Sequence, residues 1–244
     1  MGLDQVTING VSKTKMIVAT VFGLTQGFES IIYAAKGKEL PFGPPNEYIQ
    51  SAIRYVNPSF DTEFFMVRRF SVNEGVLTFI GVYRGVYEIG YDRPNSYYGA
   101  GLWLLNRTVD GRLAQKFLTD LSDQLKNSAI SDNRFIKKIA DTSVKISSAD
   151  LAKLENTDQP NTEGLSPEDS SQQCFIQAQS DASHLINWAQ ADFTAQYFNR
   201  MYAGNPAQMI STSARSDSPL LFLSTEEATE ACLHKIAPSH PIIF

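Results

Sequence analysis

The residues that usually announce chemistry are scarce in this chain. Two cysteines and three histidines occur in 244 residues. Cys174 and Cys232 each sit in an apolar setting, and one bridge would be a poor framework for a chain of this length. They read as two buried free thiols in a reducing compartment, which points to a cytoplasmic protein. His184, His234 and His240 are isolated, with no His-Glu-x-x-His and no Cys-x-x-Cys, so no metal centre is expected. Gly37-Lys38 is followed by Glu39-Leu40 rather than Ser or Thr, which excludes a P-loop there. Gly81 and Gly85 do not make a dinucleotide fingerprint, and no Gly-x-Ser-x-Gly elbow exists. No catalytic residue and no cofactor is therefore assigned.

Long apolar runs are missing too. The best, Met16 to Leu24, falls well short of the roughly 20 residues that span a bilayer, so membrane insertion is not expected. The start lacks the basic-then-apolar pattern of a secretory signal, so the sequon at Asn106-Arg107-Thr108 reads as chance. Basic excess is also absent: 21 Lys and Arg stand against 26 Asp and Glu, a net charge of −5. A surface built to coat nucleic acid usually carries the opposite balance.

What remains is ordinary globular material, 43% hydrophobic and 11% aromatic, enough for one or two cores. Residues 155–172, ENTDQPNTEGLSPEDSSQ, carry five acidic residues, two prolines and no basic residue. Such a segment buries too little to offset its ordering entropy and reads as an acidic linker or exposed loop. Net charge is +3 over residues 1–154 and −3 over residues 173–244. This divides the chain into an N-terminal unit, 1–154, and a C-terminal unit, 173–244.

Strands are expected first, at Lys15–Phe22 and Glu29–Ala35, then a short helix or turn at Glu47–Val56. Glu63–Val72 and Val76–Tyr83 form the clearest hairpin, closed by Asn73-Glu74-Gly75 with a glycine able to take positive φ. Tyr97–Leu105 reads as a more buried strand. Val109, Leu113, Phe117, Leu121 and Leu125 recur every fourth residue, joined by Leu118, and predict an amphipathic helix capped by Thr108 or Asp110. A second short helix is expected around Asn133–Ala140, and Ser147-x-x-Asp150 opens a last helical turn. Strands followed by helices make this unit α+β. In the C-terminal unit, a strand at Cys174–Ala178, a helix from Asp181 to Ala203, strands at Ala207–Thr212 and Pro219–Ser224, a helix from Ser224 to Lys235 and an edge strand at Pro241–Phe244 follow. That order, βαββαβ, is ferredoxin-like.

The densest cluster of chemistry-bearing side chains runs from Tyr83 to Tyr98. Tyr83, Arg84, Tyr87, Tyr91, Arg93, Tyr97 and Tyr98 combine amphipathic area with bidentate donors, the composition of binding hot spots. These seven are the candidate partner-binding residues. The same segment also fits a glycine-rich connection whose tyrosines cover a sheet edge.

Two stretches, Val82–Gly85 and Arg93–Leu105, resemble the second half of an N-terminal adaptor domain of bacterial GTPase-associated conflict-system proteins. Val21–Ser30 resembles that domain's opening strand and turn, so the likeness covers about residues 15–125. It implies an adaptor acting with a GTPase or another effector, in defence. Where that family is expected to carry a histidine after the paired aromatics, this chain has Gly99-Ala100-Gly101, so a histidine-based site is not carried over.

Three function classes follow. The first is a non-enzymatic interaction adaptor or subunit of a multi-protein assembly. The second is an enzyme acting on a nucleotide or phosphoester, with Arg68, Arg69, Arg84 and Arg93 clamping an anion and Glu88 or Asp92 as base. The third is RNA binding through the ferredoxin-like sheet, whose central strands carry one aromatic each and no neighbouring Lys or Arg.

Overall fold

A computed structural model of the chain describes residues 4–8, 11–25, 29–34, 63–86, 96–132, 134–155, 176–178, 182–190, 200–204 and 220–223. Its strands and helices run in the order β1 (Asp4–Ile8), β2 (Val11–Thr25), β3 (Glu29–Ala34), β4 (Glu63–Val72), β5 (Gly75–Val86) and β6 (Ser96–Leu105), then α1 (Gly111–Ala129). There follow β7 (Ile130–Ser131), β8 (Arg134–Phe135), a 3-10 turn at Ile139–Asp141 and α2 (Ser148–Glu155). Last come β9 (Ile176–Ala178), α3 (Ala182–Ala189), β10 (Arg200–Gly204) and β11 (Leu220–Leu223). The fold is strand-rich α+β.

Nine of these strands join in one sheet, ordered β1-β2-β6-β5-β4-β10-β11-β9, with β3 also pairing to β2. The first six strands pair antiparallel, and β10 pairs antiparallel to the free edge of β4. Beyond it β10, β11 and β9 run parallel. The expected hairpin is present in register, Val72 opposite Gly75, and Gly75 takes φ 135°. A Cβ at Gly75 would also strike the Asn106 side chain, whose Oδ1 accepts from the Val76 N–H at 3.1 Å while Nδ2 donates to the Glu74 carbonyl at 2.8 Å. Asn106, the sequon asparagine, thus locks this hairpin.

Strand alternation places two different cores on the two faces. Ile17, Ala19 and Val21 of β2, Val67 of β4, Ile80 and Val82 of β5, and Ala100, Leu102 and Leu104 of β6 share one face, under α1. Phe22, Phe79, Tyr83, Tyr97 and Trp103 share the other, and all five are also buried. Because both faces of the central strands are buried, β6 reads as a nearly continuous apolar run rather than an alternating one.

α1 begins at Asp110, whose Oδ1 accepts from the N–H groups of Arg112 and Leu113. Its buried side is Ala114, Leu118, Leu121, Leu125 and Ala129. The expected stripe is therefore rotated: Leu113 is 43% exposed, and Phe117 is only partly buried. α2 starts as expected, with Ser147 Oγ accepting from the N–H groups of Ala149 and Asp150.

Three expectations change. The described residues 134–140 form no α-helix; α1 runs into the β7–β8 hairpin, with Asp132 at φ 48° after β7. Phe135 and Ile139 still reach the core, and so short a segment has little helical stability of its own. The helix expected to reach Ala203 gives way to strand β10, where Met201 and Tyr202 meet Val67 and Met66 across the edge of β4. An open edge leaves ladder groups unpaired, and satisfying it outweighs the helical spacing of Tyr197 and Met201. The described C-terminal strands pair in parallel, whereas a ferredoxin-like sheet is antiparallel throughout. The strands expected at 207–212 and 241–244 and the helices expected at 47–56 and 224–235 lie outside the described residues, as do Cys174 and Cys232.

Across the acidic stretch the described parts interlock. Gln190, 4% exposed, accepts from the Val109 N–H at 2.7 Å and donates to the carbonyls of Val109 and Ile186. Asn187 accepts from the Gly111 N–H at 2.7 Å. Gly111 allows this approach, since a Cβ there would collide with the Ser183 carbonyl.

Candidate functional site

The sequence cluster at Tyr83–Tyr98 divides by strand parity. Tyr83 and Tyr97 lie on the aromatic face with ring centroids 5.8 Å apart. Phe22 packs 4.9 Å from Tyr83, and Phe79 packs 4.5 Å from Trp103. The rings close over glycines: Gly99 lies opposite both Phe22 and Tyr83 in register, and Gly101 lies opposite Gly81. A Cβ at Gly99 would meet the Val82 carbonyl and the Phe22 ring, and one at Gly101 would meet the Phe79 ring. The Gly99-Ala100-Gly101 run is thus a packing device, with small residues admitting flat rings. Trp103 Nε1 donates to Thr20 Oγ1 at 3.3 Å, so this face holds a polar link as well.

Arg84 and Tyr98 lie opposite each other on the other face, toward α1. Arg84 Nε donates to Glu63 Oε2 at 2.5 Å, and its Nη1 donates to Asp123 Oδ1 on α1. Burial alone would lower the Arg84 guanidinium, but Asp123 and Glu63 outweigh it and hold it more firmly protonated than usual. Burial raises the Tyr98 phenol, an effect that Arg84 partly offsets. Burial likewise raises Tyr97. Tyr87, Tyr91 and Arg93 lie outside the described residues, with Glu88 and Asp92.

The proposed anion clamp does not converge among its described members. Arg68 stacks 4.8 Å from the Phe70 ring, on the aromatic face. Arg69 shares the Arg84 face, but it stands six residues along β4 from the Glu63–Arg84 pair, about 20 Å away. Phe22, Phe79, Tyr83, Tyr97 and Trp103 on the opposite face are buried and present no platform for stacking bases.

The exposed chemistry lies instead on the outer side of the helices, in a groove of about 280 Å³ between α1 and α2. Its apolar wall is Leu113, Phe117 and Leu121 of α1 with Leu154 of α2. Lys116 pairs with Asp120 at 2.9 Å and Lys153 with Asp150 at 2.9 Å, each one turn away on its own helix. Lys153 draws the exposed Asp150 carboxyl below its usual range, by hydrogen bond and charge. The loop between the helices completes the rim. Val144 and Ile146 turn inward to the core, which turns Lys145 outward, and Gln124 Oε1 accepts from the Lys145 N–H at 3.3 Å. The rotated register of α1 is what supplies this groove, because it leaves Leu113 and Phe117 outside the sheet-facing stripe. Sequence reasoning placed both in the core, and only the small Ala114 and Ala129 hinted at the true buried side.

Among the described residues, no helix is long and apolar enough to cross a membrane. Nor does any group of three or more His, Cys, Asp or Glu there converge to hold a metal ion. No protein family, curated protein or solved structure gives a significant match to this chain.

Proposed function

We propose that this protein is a non-catalytic interaction module, an adaptor or subunit that holds a protein partner through the outer face of its helical layer. The observation that carries this reading is the rotation of α1, which leaves Leu113 43% exposed beside Phe117 in a charged-rimmed groove. The other nominated groups support it by being engaged elsewhere: Arg84 serves two carboxylates, and Tyr83, Tyr97 and Tyr98 are buried. An apolar floor with a polar rim is the anatomy of a docking surface. The resemblance at Val82–Leu105 adds a GTPase or effector as the expected partner. Tyr87, Tyr91 and Arg93, outside the described residues, are the rival partner-binding candidates to weigh against the groove.

Cross-linking capture from native lysate tests both surfaces. Leu113→Asp is expected to cut capture of the physiological partner at least about tenfold while the protein stays folded, as loss of a central apolar contact does. The double change Tyr87→Ala and Arg93→Ala is expected to leave that capture in place. The opposite pattern moves the interface to the loop. Capture unaffected by either variant removes the interaction-module reading.

A further inference from the structure

Resting on that reading, we infer that the α1–α2 groove takes a short acidic, leucine-type peptide segment of its partner. Length is the first argument. The wall from Leu113 to Gln124 extends about 16 Å along α1, which matches about five residues of extended chain. A single compact metabolite would leave much of that wall uncovered. Charge is the second. Three ammonium groups, Lys116, Lys145 and Lys153, face two carboxylates, Asp120 and Asp150. Lys116 and Lys153 are already satisfied within their own helices. Lys145 makes no ion pair among the described residues, so an exposed ammonium without an intrahelical carboxylate is left at the rim. The peptide that fits places one or two leucine-sized side chains against the exposed Leu113 and partly buried Phe117, over the floor made by Leu121 and Leu154. Its acidic residue then meets Lys145. Apolar contact supplies the hold, while the carboxylate sets orientation and excludes basic segments.

Two capped probes test this on the full chain: the hexapeptides Ac-Glu-Leu-Leu-Glu-Leu-Glu-NH2 and Ac-Lys-Leu-Leu-Lys-Leu-Lys-NH2, followed by backbone amide NMR. The acidic probe is expected to shift the amides of Leu113, Phe117, Gln124, Lys145 and Ser147 and to bind at least about tenfold more tightly than the basic one. Lys145→Glu, an exposed position, is expected to reverse that preference without changing the rest of the spectrum. Equal binding of the two probes, binding that does not shift these amides, or a preference unmoved by Lys145→Glu overturns the inference. If neither probe binds while Leu113→Asp still abolishes capture of the native partner, the interaction module stands and only the acidic-peptide assignment falls.

Discussion

At residue scale, parity along a strand decides what a polar side chain is for. Tyr97 and Tyr98 are neighbours in sequence, yet one packs among rings and the other faces Arg84 and α1. Their composition as a cluster was legible in the sequence, but which of them would point outward was not. In a strand buried on both faces the hydrophobic alternation that assigns faces disappears. Tyr97 also carries a measurable consequence. Burial raises its phenol above the ordinary value of 10, whereas the unfolded chain releases that proton near 10. The native state thus holds a proton that the unfolded state has lost. Tyr97's contribution to stability is level below pH 10 and falls as pH climbs above it, by at most about 1.4 kcal/mol per pH unit. Tyr97→Phe is expected to flatten this alkaline fall in denaturant midpoints measured from neutral pH upward. A fall of the same slope in the variant would place the cause elsewhere.

At the scale of elements, strong local signals were read well and long-range ones were not. β4 matched its expected ends, the Ser147 cap opened α2, and Asp110 capped α1. The β1–β2 hairpin, not among the expected elements, also has a local signal: Ile8 pairs with Val11, and Asn9-Gly10 between them in sequence is a pair suited to a two-residue turn. β10 could not be read locally, because its strand state depends on the distant edge of β4. The joint between α3 and α1 is of the same kind. Nothing near Gln190 in sequence shows that it will bond to Val109, yet three hydrogen bonds converge on that buried amide. Gln190→Ala strands the Val109 N–H without a partner and is expected to cost about 2–3 kcal/mol by denaturant unfolding. Faster hydrogen exchange should appear in α3 and at residues 109–111. A cost below about 0.5 kcal/mol would mean that this joint is not made in solution.

At the scale of the whole molecule, composition and topology pull in different directions. By composition alone, the acidic stretch at 155–172 and the change of charge across it suggest two units. The sheet runs across that division, since β10 closes the open edge of β4, while α3 sits on the start of α1 through Asn187 and Gln190. Covalent continuity and physical association can therefore be separated. A site-specific protease sequence inserted between Asn161 and Thr162 would allow the chain to be cut there and nowhere else. The cut pieces are expected to migrate together in native size exclusion and to part in denaturant, because a ladder edge and a buried amide joint hold them. Cutting converts an intramolecular contact into a bimolecular one, removing the effective concentration that the tether supplies. The melting temperature of the cut protein should then rise with protein concentration, while that of the intact chain should not. Two pieces that elute separately, each with its own concentration-independent transition, would show instead that the units fold independently and that the β4–β10 pairing is not what holds the C-terminal segment in place.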